Sequence, residues 1–206
     1  MNAIHLNSKG HGSQPISSVN TDPAVTPKRY SATAIALHWV LGVVIVAVFG
    51  VGLYMANLPF SPLRLKLYNW HKWTGMTLLA LSVFRLVWRV THRPPALPGH
   101  IAVAMPTWQH HVHHATHTAL YILFFAVPLL GWAYSSAVGF PIVLFGVLPL
   151  PDFVTADKAM AAFLKPWHQA TAYALIGLAL LHAAAALKHQ FIDRDGLISR
   201  MWFGRR

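Results

Sequence analysis

Four apolar runs, each long enough to cross the roughly 30 Å hydrocarbon core of a bilayer at about 1.5 Å of helix rise per residue, decide what this chain can become. They cover Ala32 to Ala56, Asn69 to Val90, Thr116 to Ser136 and Trp167 to Lys188. Lipid offers no partner for a backbone N–H or C=O, so each run is expected to satisfy its own as an α-helix. Proline and glycine interrupt the chain in "NLPFSPLR" between the first two runs and in "THRPPALPGH" between the second and third. The expected fold is therefore an all-α membrane protein, a four-helix transmembrane up-and-down bundle over residues 30–206. The stretch "VGFPIVLFGVLPLPDF" is apolar too, but its three prolines and two glycines make a continuous helix unfavourable. It is expected as a loop at the membrane surface.

Composition agrees with a membrane class, since the chain is 55% hydrophobic and only 10% charged. The absence of cysteine excludes disulfides, thiolate zinc sites, iron–sulfur ligation and covalent haem attachment. A net charge of +11, from 16 Lys and Arg against five Asp, raises the question of a nucleic-acid partner. The basic residues flank the apolar runs, however, as membrane anchors do, and no recognition helix or stacking platform accompanies them. No nucleic-acid partner is expected; membrane lipid is. Residues Met1 to Arg29 are polar and aperiodic, and read as a flexible tail without the features of a secretory signal. Eleven of the 16 basic residues fall on the side of the two termini, which places both in the cytoplasm. Trp39, Trp70, Trp73, Trp88, Trp132 and Trp167 mostly lie near helix ends, as an aromatic belt would.

Fourteen histidines in such a chain have to be sorted by depth. His38 lies about two turns inside the first run from the cytoplasmic side, and His71 opens the second from the periplasmic side. On the fourth run, His168 sits at the periplasmic end and His182 fourteen residues on, an advance of about 21 Å that keeps both on one face within about 40°. His38 therefore pairs in depth with His182, and His71 with His168. Two opposed neutral imidazoles are the axial set of a six-coordinate haem, and b-type haem needs no covalent attachment. Interhelical hydrogen bonding by single histidines is the competing explanation, and it does not account for four matched in depth.

Small residues follow each of the four by one helical turn: Gly42, Gly75, Ala172 and Ala186. On that face they clear room for a flat macrocycle, the two glycines most distinctively. Arg85, fourteen residues after His71, is placed to meet haem propionates at the cytoplasmic level, with Arg89 beside it; both also serve as positive-inside anchors. Lys72 and Lys165, next to the periplasmic histidines, are candidates for the other propionates or for drawing in an anionic donor. The run "HHVHHATH", His110 to His117, contains no carboxylate or cysteine and reads as a solvated entry to the third helix rather than a metal site. Within it His114 and His117 face the bundle and are candidates to touch a propionate or a quinone.

"RYSATAIALHW", "NWHKWTG", "FRLVWR", "HHATHTALYILFFAVPLLGW" and "LKPWHQATAYALIGLALLHAAAALKH" together resemble the bacterial cytochrome b561 family over about residues 29 to 204. The resemblance implies a multi-pass protein of the bacterial inner membrane holding two non-covalent b haems, with His38, His71, His168 and His182 as the iron ligands. It further implies oxidoreductase activity, passing single electrons between a periplasmic donor, superoxide among the candidates, and ubiquinone of the membrane pool. Two other readings compete: a haem subunit carrying electrons from a hydrogenase or dehydrogenase partner to quinone, and a histidine-based metal-ion transporter.

Overall fold

The structure, a computed structural model, describes residues 29–96, 99 and 106–203. The N-terminal tail read from the sequence lies almost wholly outside these residues. Four long helices dominate: α1 (Ala32–Asn57), α2 (Pro62–Thr91), α3 (Thr107–Ala137) and α4 (Lys158–Lys188). Each packs against its neighbours in a closed ring, α1 on α2, α2 on α3, α3 on α4 and α4 back on α1. Consecutive helices run antiparallel, as in an up-and-down bundle. Thus Trp88 late in α2 donates its indole N–H to Ser31 before α1, and Lys72 early in α2 reaches Ser135 late in α3.

Among the described residues, three helices are long and apolar enough to cross a membrane: α1, α3, and α4 continued through its π-helical turn to Asp193. α2 falls short of that measure, because Lys72, Arg85 and Arg89 dilute its apolar stretch. The molecule is a membrane-type all-α protein, and its outer faces agree. Val43, Val46, Ile122, Leu180 and Leu181 all stand exposed on the bundle exterior. Side chains of this kind face lipid comfortably and water poorly.

The expected start of α1 holds, but three helices begin earlier than their apolar runs. α2 starts at Pro62 rather than Asn69, because Ser61 caps it by accepting from Arg64 N and proline fits the first helical position. α3 starts at Thr107 rather than Thr116, so the histidine run is helical throughout. α4 starts at Lys158 rather than Trp167, capped by the Asp157 carboxylate on Met160 N at 2.6 Å. Hydropathy locates what lies in lipid; polar caps decide where a helix begins. The loop expected between the third and fourth helices contains a small antiparallel hairpin, β1 (Val143–Leu144) with β2 (Leu148–Pro149). Phe145 and Gly146 turn it, both left-handed at φ 53° and 76°.

Leu41, Ile45, Leu78, Leu120 and Leu175 form the central core, with Val44, Val48, Phe124, Val127 and Leu178 packed against it. Four of these, Ile45, Leu78, Phe124 and Leu175, come seven residues after His38, His71, His117 and His168 respectively. Seven residues return a helix to nearly the same face. The core is therefore an apolar floor between two polar levels.

Candidate functional site

Fourteen residues, two such steps, connect the two levels on every helix. The pairs are His38 and Gly52 on α1, His71 and Arg85 on α2, His117 and Gly131 on α3, and His168 and His182 on α4. Because neighbours are antiparallel, one level receives His38, Arg85, His117 and His182, and the other Gly52, His71, Gly131 and His168. The side-chain contacts follow this division.

At the first level, near the start of α1, the His38 and His182 rings stand 6.2 Å apart between centroids at 82°. His117 lies 5.0 Å from His182, its Nδ1 donating to the His113 carbonyl at 2.8 Å. The Arg85 guanidinium approaches His38 Nδ1 with both terminal nitrogens at 3.3 Å and Tyr121 Oη with Nε at 3.3 Å. Guanidinium only donates, so His38 Nδ1 accepts here and the ring proton resides on Nε2. Arg89 also lies over the Tyr121 ring, 5.5 Å from its centroid.

At the second level the His71 and His168 rings repeat the same spacing, 6.2 Å between centroids at 90°. His168 Nδ1 donates to the Val127 carbonyl at 3.0 Å, which leaves Nε2 the free ligand nitrogen. His71 Nδ1 is buried and turned toward the Val48 carbonyl, short of hydrogen-bond geometry. Glycines back both rings. A Cβ on Gly52 would stand 3.1 Å from His71 Cε1, and one on Gly131 3.0 Å from His168 Cε1. Sequence reasoning passed over Gly52 and Gly131 because it looked one turn along the same helix; the fourteen-residue register across helices identifies them.

The remaining candidates divide clearly. A Cβ on Gly42 or Gly75 would meet nothing within 4 Å, so each leaves open space beside its histidine. Lys72 is engaged elsewhere, donating to Ser135 Oγ, Phe140 O and Pro141 O at 3.0–3.3 Å, where it ties α2 to the end of α3. Lys165 is exposed on α4, one turn before His168. His117 faces the bundle and His114 is exposed, in contact with the His113 ring. The His110–His117 run supplies no group of three potential metal ligands among the described residues. The one such group is His189, Asp193 and Asp195 after α4, where Lys188 already bridges Asp193 at 2.6 Å.

Fold and site together define a multi-pass helical membrane protein with two levels of paired, inward-facing imidazoles and no thiolate. The chain belongs to the prokaryotic cytochrome b561 family, whose profile matches residues 29–204. Membership makes it an electron-transport protein of the oxidoreductase class, from a family that binds b-type haem. It is 34% identical over 178 residues to cytochrome b561 homolog 2 of Escherichia coli (strain K12), covering 85% of this chain and 92% of that protein. It is 30% identical over 176 residues to cytochrome b561 homolog 1 of the same organism, covering 84% and 96%. A probable superoxide oxidase, CybB of Yersinia pestis, is 30% identical over 182 residues, again covering 84% and 96%.

Proposed function

We propose that residues 30–206 form a four-span electron-transfer domain of the bacterial inner membrane, with two non-covalent b haems. One haem is held between His38 and His182, the other between His71 and His168. The observation that carries the reading is the repeated spacing of the two imidazole pairs. Metal–imidazole bonds of about 2 Å, with each ring centroid about 1.1 Å behind its nitrogen, put two rings sharing one metal roughly 6.2 Å apart. Both pairs stand at 6.2 Å. The open space at Gly42 and Gly75 also fits a bulky, flat group between the helices.

Haem, when bound, supplies reversible one-electron storage; the chain supplies everything else. Held by two imidazoles each, His38 with His182 and His71 with His168, the haems would supply outer-sphere one-electron transfer rather than oxygenation. The apolar floor of Ile45, Leu78, Phe124 and Leu175 keeps water from the space between the levels. Ligation through His38 Nε2 requires its ring proton to move to Nδ1 and Arg85 to release the ring. A haem carboxylate is the natural acceptor for the freed guanidinium, with Arg89 beside it.

With both termini cytoplasmic, the His71–His168 level faces the periplasm and receives the electron, and ubiquinone is the acceptor. The donor we favour is superoxide, on the likeness to the Yersinia pestis protein. Haem quantitation and a reduced-minus-oxidised spectrum of the purified protein test the reading. Two low-spin b haems per chain are expected, followed by reduction with superoxide and reoxidation by ubiquinone. Bound metal without porphyrin would instead mark a transporter and end the proposal.

A further inference from the structure

Between α3 and α4 the chain runs through fourteen residues, Val138 to Pro151, without one polar side chain. Most of these side chains are nevertheless turned outward. Val147 is 84% exposed and Phe145 62%, with Val143 and Leu148 exposed beside them, whereas Ile142 turns into the bundle. The two left-handed positions of a hairpin turn usually take Asn, Asp or Gly, and here Phe145 holds the first at φ 53°. A hairpin tip in water is a place for polar residues; a phenyl ring there suits an apolar medium.

The hairpin does not project beyond the bundle. Trp73 Nε1 donates to Val143 O at 2.6 Å, and the Trp73 ring lies 5.8 Å from that of Phe145. Trp73 comes eleven residues after the start of α2, about 16 Å along the helix. The hairpin is thus folded back alongside α2, near the depth of His71. Lys72 holds its base through Phe140 O and Pro141 O, with the ammonium 3.5 Å from the centre of the Phe140 ring. Leu53 of α1, Leu129 of α3 and Trp167 of α4 lie within two residues of the same level and are exposed too, so the hairpin joins an apolar belt around the bundle.

Its main chain is equally suited to lipid. Gly146 N, Val147 N and Leu150 N donate to Val143 O, Leu144 O and Ile142 O, and Pro141, Pro149 and Pro151 have no N–H to satisfy. Backbone closed on itself can enter a medium that offers no hydrogen-bond partners. A protein partner fits less well, because interfaces surround an apolar centre with a polar rim. Strands of two residues also offer little free edge to a further strand.

We propose that the hairpin from Val143 to Pro149 is immersed in the acyl chains of the leaflet on the His71–His168 side, an anchor additional to the helices rather than a loop resting on the surface. The inference rests on the membrane-type exterior of the bundle and not on which cofactor fills the histidine levels.

The chain contains no cysteine, so a single introduced thiol carries the only label. A nitroxide is attached at Val147→Cys in the holoprotein, which is placed in phosphatidylcholine nanodiscs. Power-saturation EPR then compares its accessibility to oxygen, which concentrates in lipid, and to a neutral nickel chelate, which stays in water. Oxygen is expected to prevail at Val147→Cys, and the chelate at Lys158→Cys, the exposed first residue of α4. If the chelate prevails at both, the hairpin lies in water and the proposal is overturned. Low accessibility to both reagents, or spin–spin broadening between labels, would mark a protein cover or a second copy and overturn it equally. Leu148→Cys, also exposed, repeats the measurement should Val147→Cys fail to fold.

Discussion

Gly131→Ala is the sharpest perturbation of the second level. Carbon atoms in ordinary contact sit about 3.5–4.0 Å apart, whereas the new methyl would stand 3.0 Å from His168 Cε1. The ring cannot easily retreat, because its Nδ1 is bonded to Val127 O at 3.0 Å, one turn from Gly131 on the same helix. Overpacking of this kind costs about 1–3 kcal/mol, which is roughly 5- to 150-fold in the affinity of whatever the ring ligates. The assay is the haem-to-chain ratio with a potentiometric titration resolving two components. Gly131→Ala is expected to deplete the component of His71 and His168 and to spare that of His38 and His182. Gly177→Ala on α4, where a Cβ meets nothing within 4 Å and neither level lies, is the matched control. A Gly131→Ala protein with both components at wild-type occupancy and potential would refute the reasoning.

Single replacements of the four histidines are expected to fall into two pairs by spectrum. His38→Ala and His182→Ala remove one haem component, His71→Ala and His168→Ala the other. Gly42→Ala replaces a helical glycine, a gain of about 0.5–1 kcal/mol for the polypeptide alone, with no protein atom to obstruct the methyl. Haem occupancy at the His38 level should nonetheless drop, as the haem-to-chain ratio would register. Arg85→Gln takes a full positive charge from the same level and is expected to lower its midpoint potential by on the order of 50 mV in a redox titration. Lys72→Met deletes the contacts to Ser135, Phe140 and Pro141. It should cost about 1.5–3 kcal/mol of stability, read as a lower Tm, with both haems retained.

The legible part of this protein was the part governed by hydropathy. Apolar runs of fixed minimum length announce helices without any knowledge of their neighbours, and α1 begins where its run begins. The early starts of α2, α3 and α4 were obscured because their first turns lie outside lipid and carry Arg64, His110 or Lys158 in place of apolar residues. Ser61 before Pro62 and Asp157 before Lys158 were nevertheless readable as caps. The pairing of histidines could be inferred from depth alone, since antiparallel helices that cross the same slab must align residues at equal depth. What depth cannot reveal is which glycine lies behind which ring. Gly52 and Gly131 act on histidines of α2 and α4, so their role exists only once helix adjacency is known. Lys72 drew attention through its proximity to His71 in sequence; nothing in the sequence announced that its ammonium group reaches Ser135 at the end of α3 and the Phe140 and Pro141 carbonyls just beyond it.

The two levels are built by one geometric rule and filled with different chemistry. Every helix contributes one residue to each level at a fourteen-residue interval, nearly four full turns, so both contributions project from about the same face. The apolar residue midway then necessarily projects inward too, which is why the floor of Ile45, Leu78, Phe124 and Leu175 requires no separate specification. Filling differs because the two non-ligand positions differ. At the second level they are Gly52 and Gly131, which bring backbone against the imidazoles and exclude charge. At the first they are Arg85 and His117, which bring hydrogen-bond donors and a cation. A positive surrounding favours whichever state carries one more electron. Under the proposed ligation, matched imidazole pairs in a single repeated scaffold would acquire unequal affinities for an electron through their neighbours, the arginine level being the better acceptor.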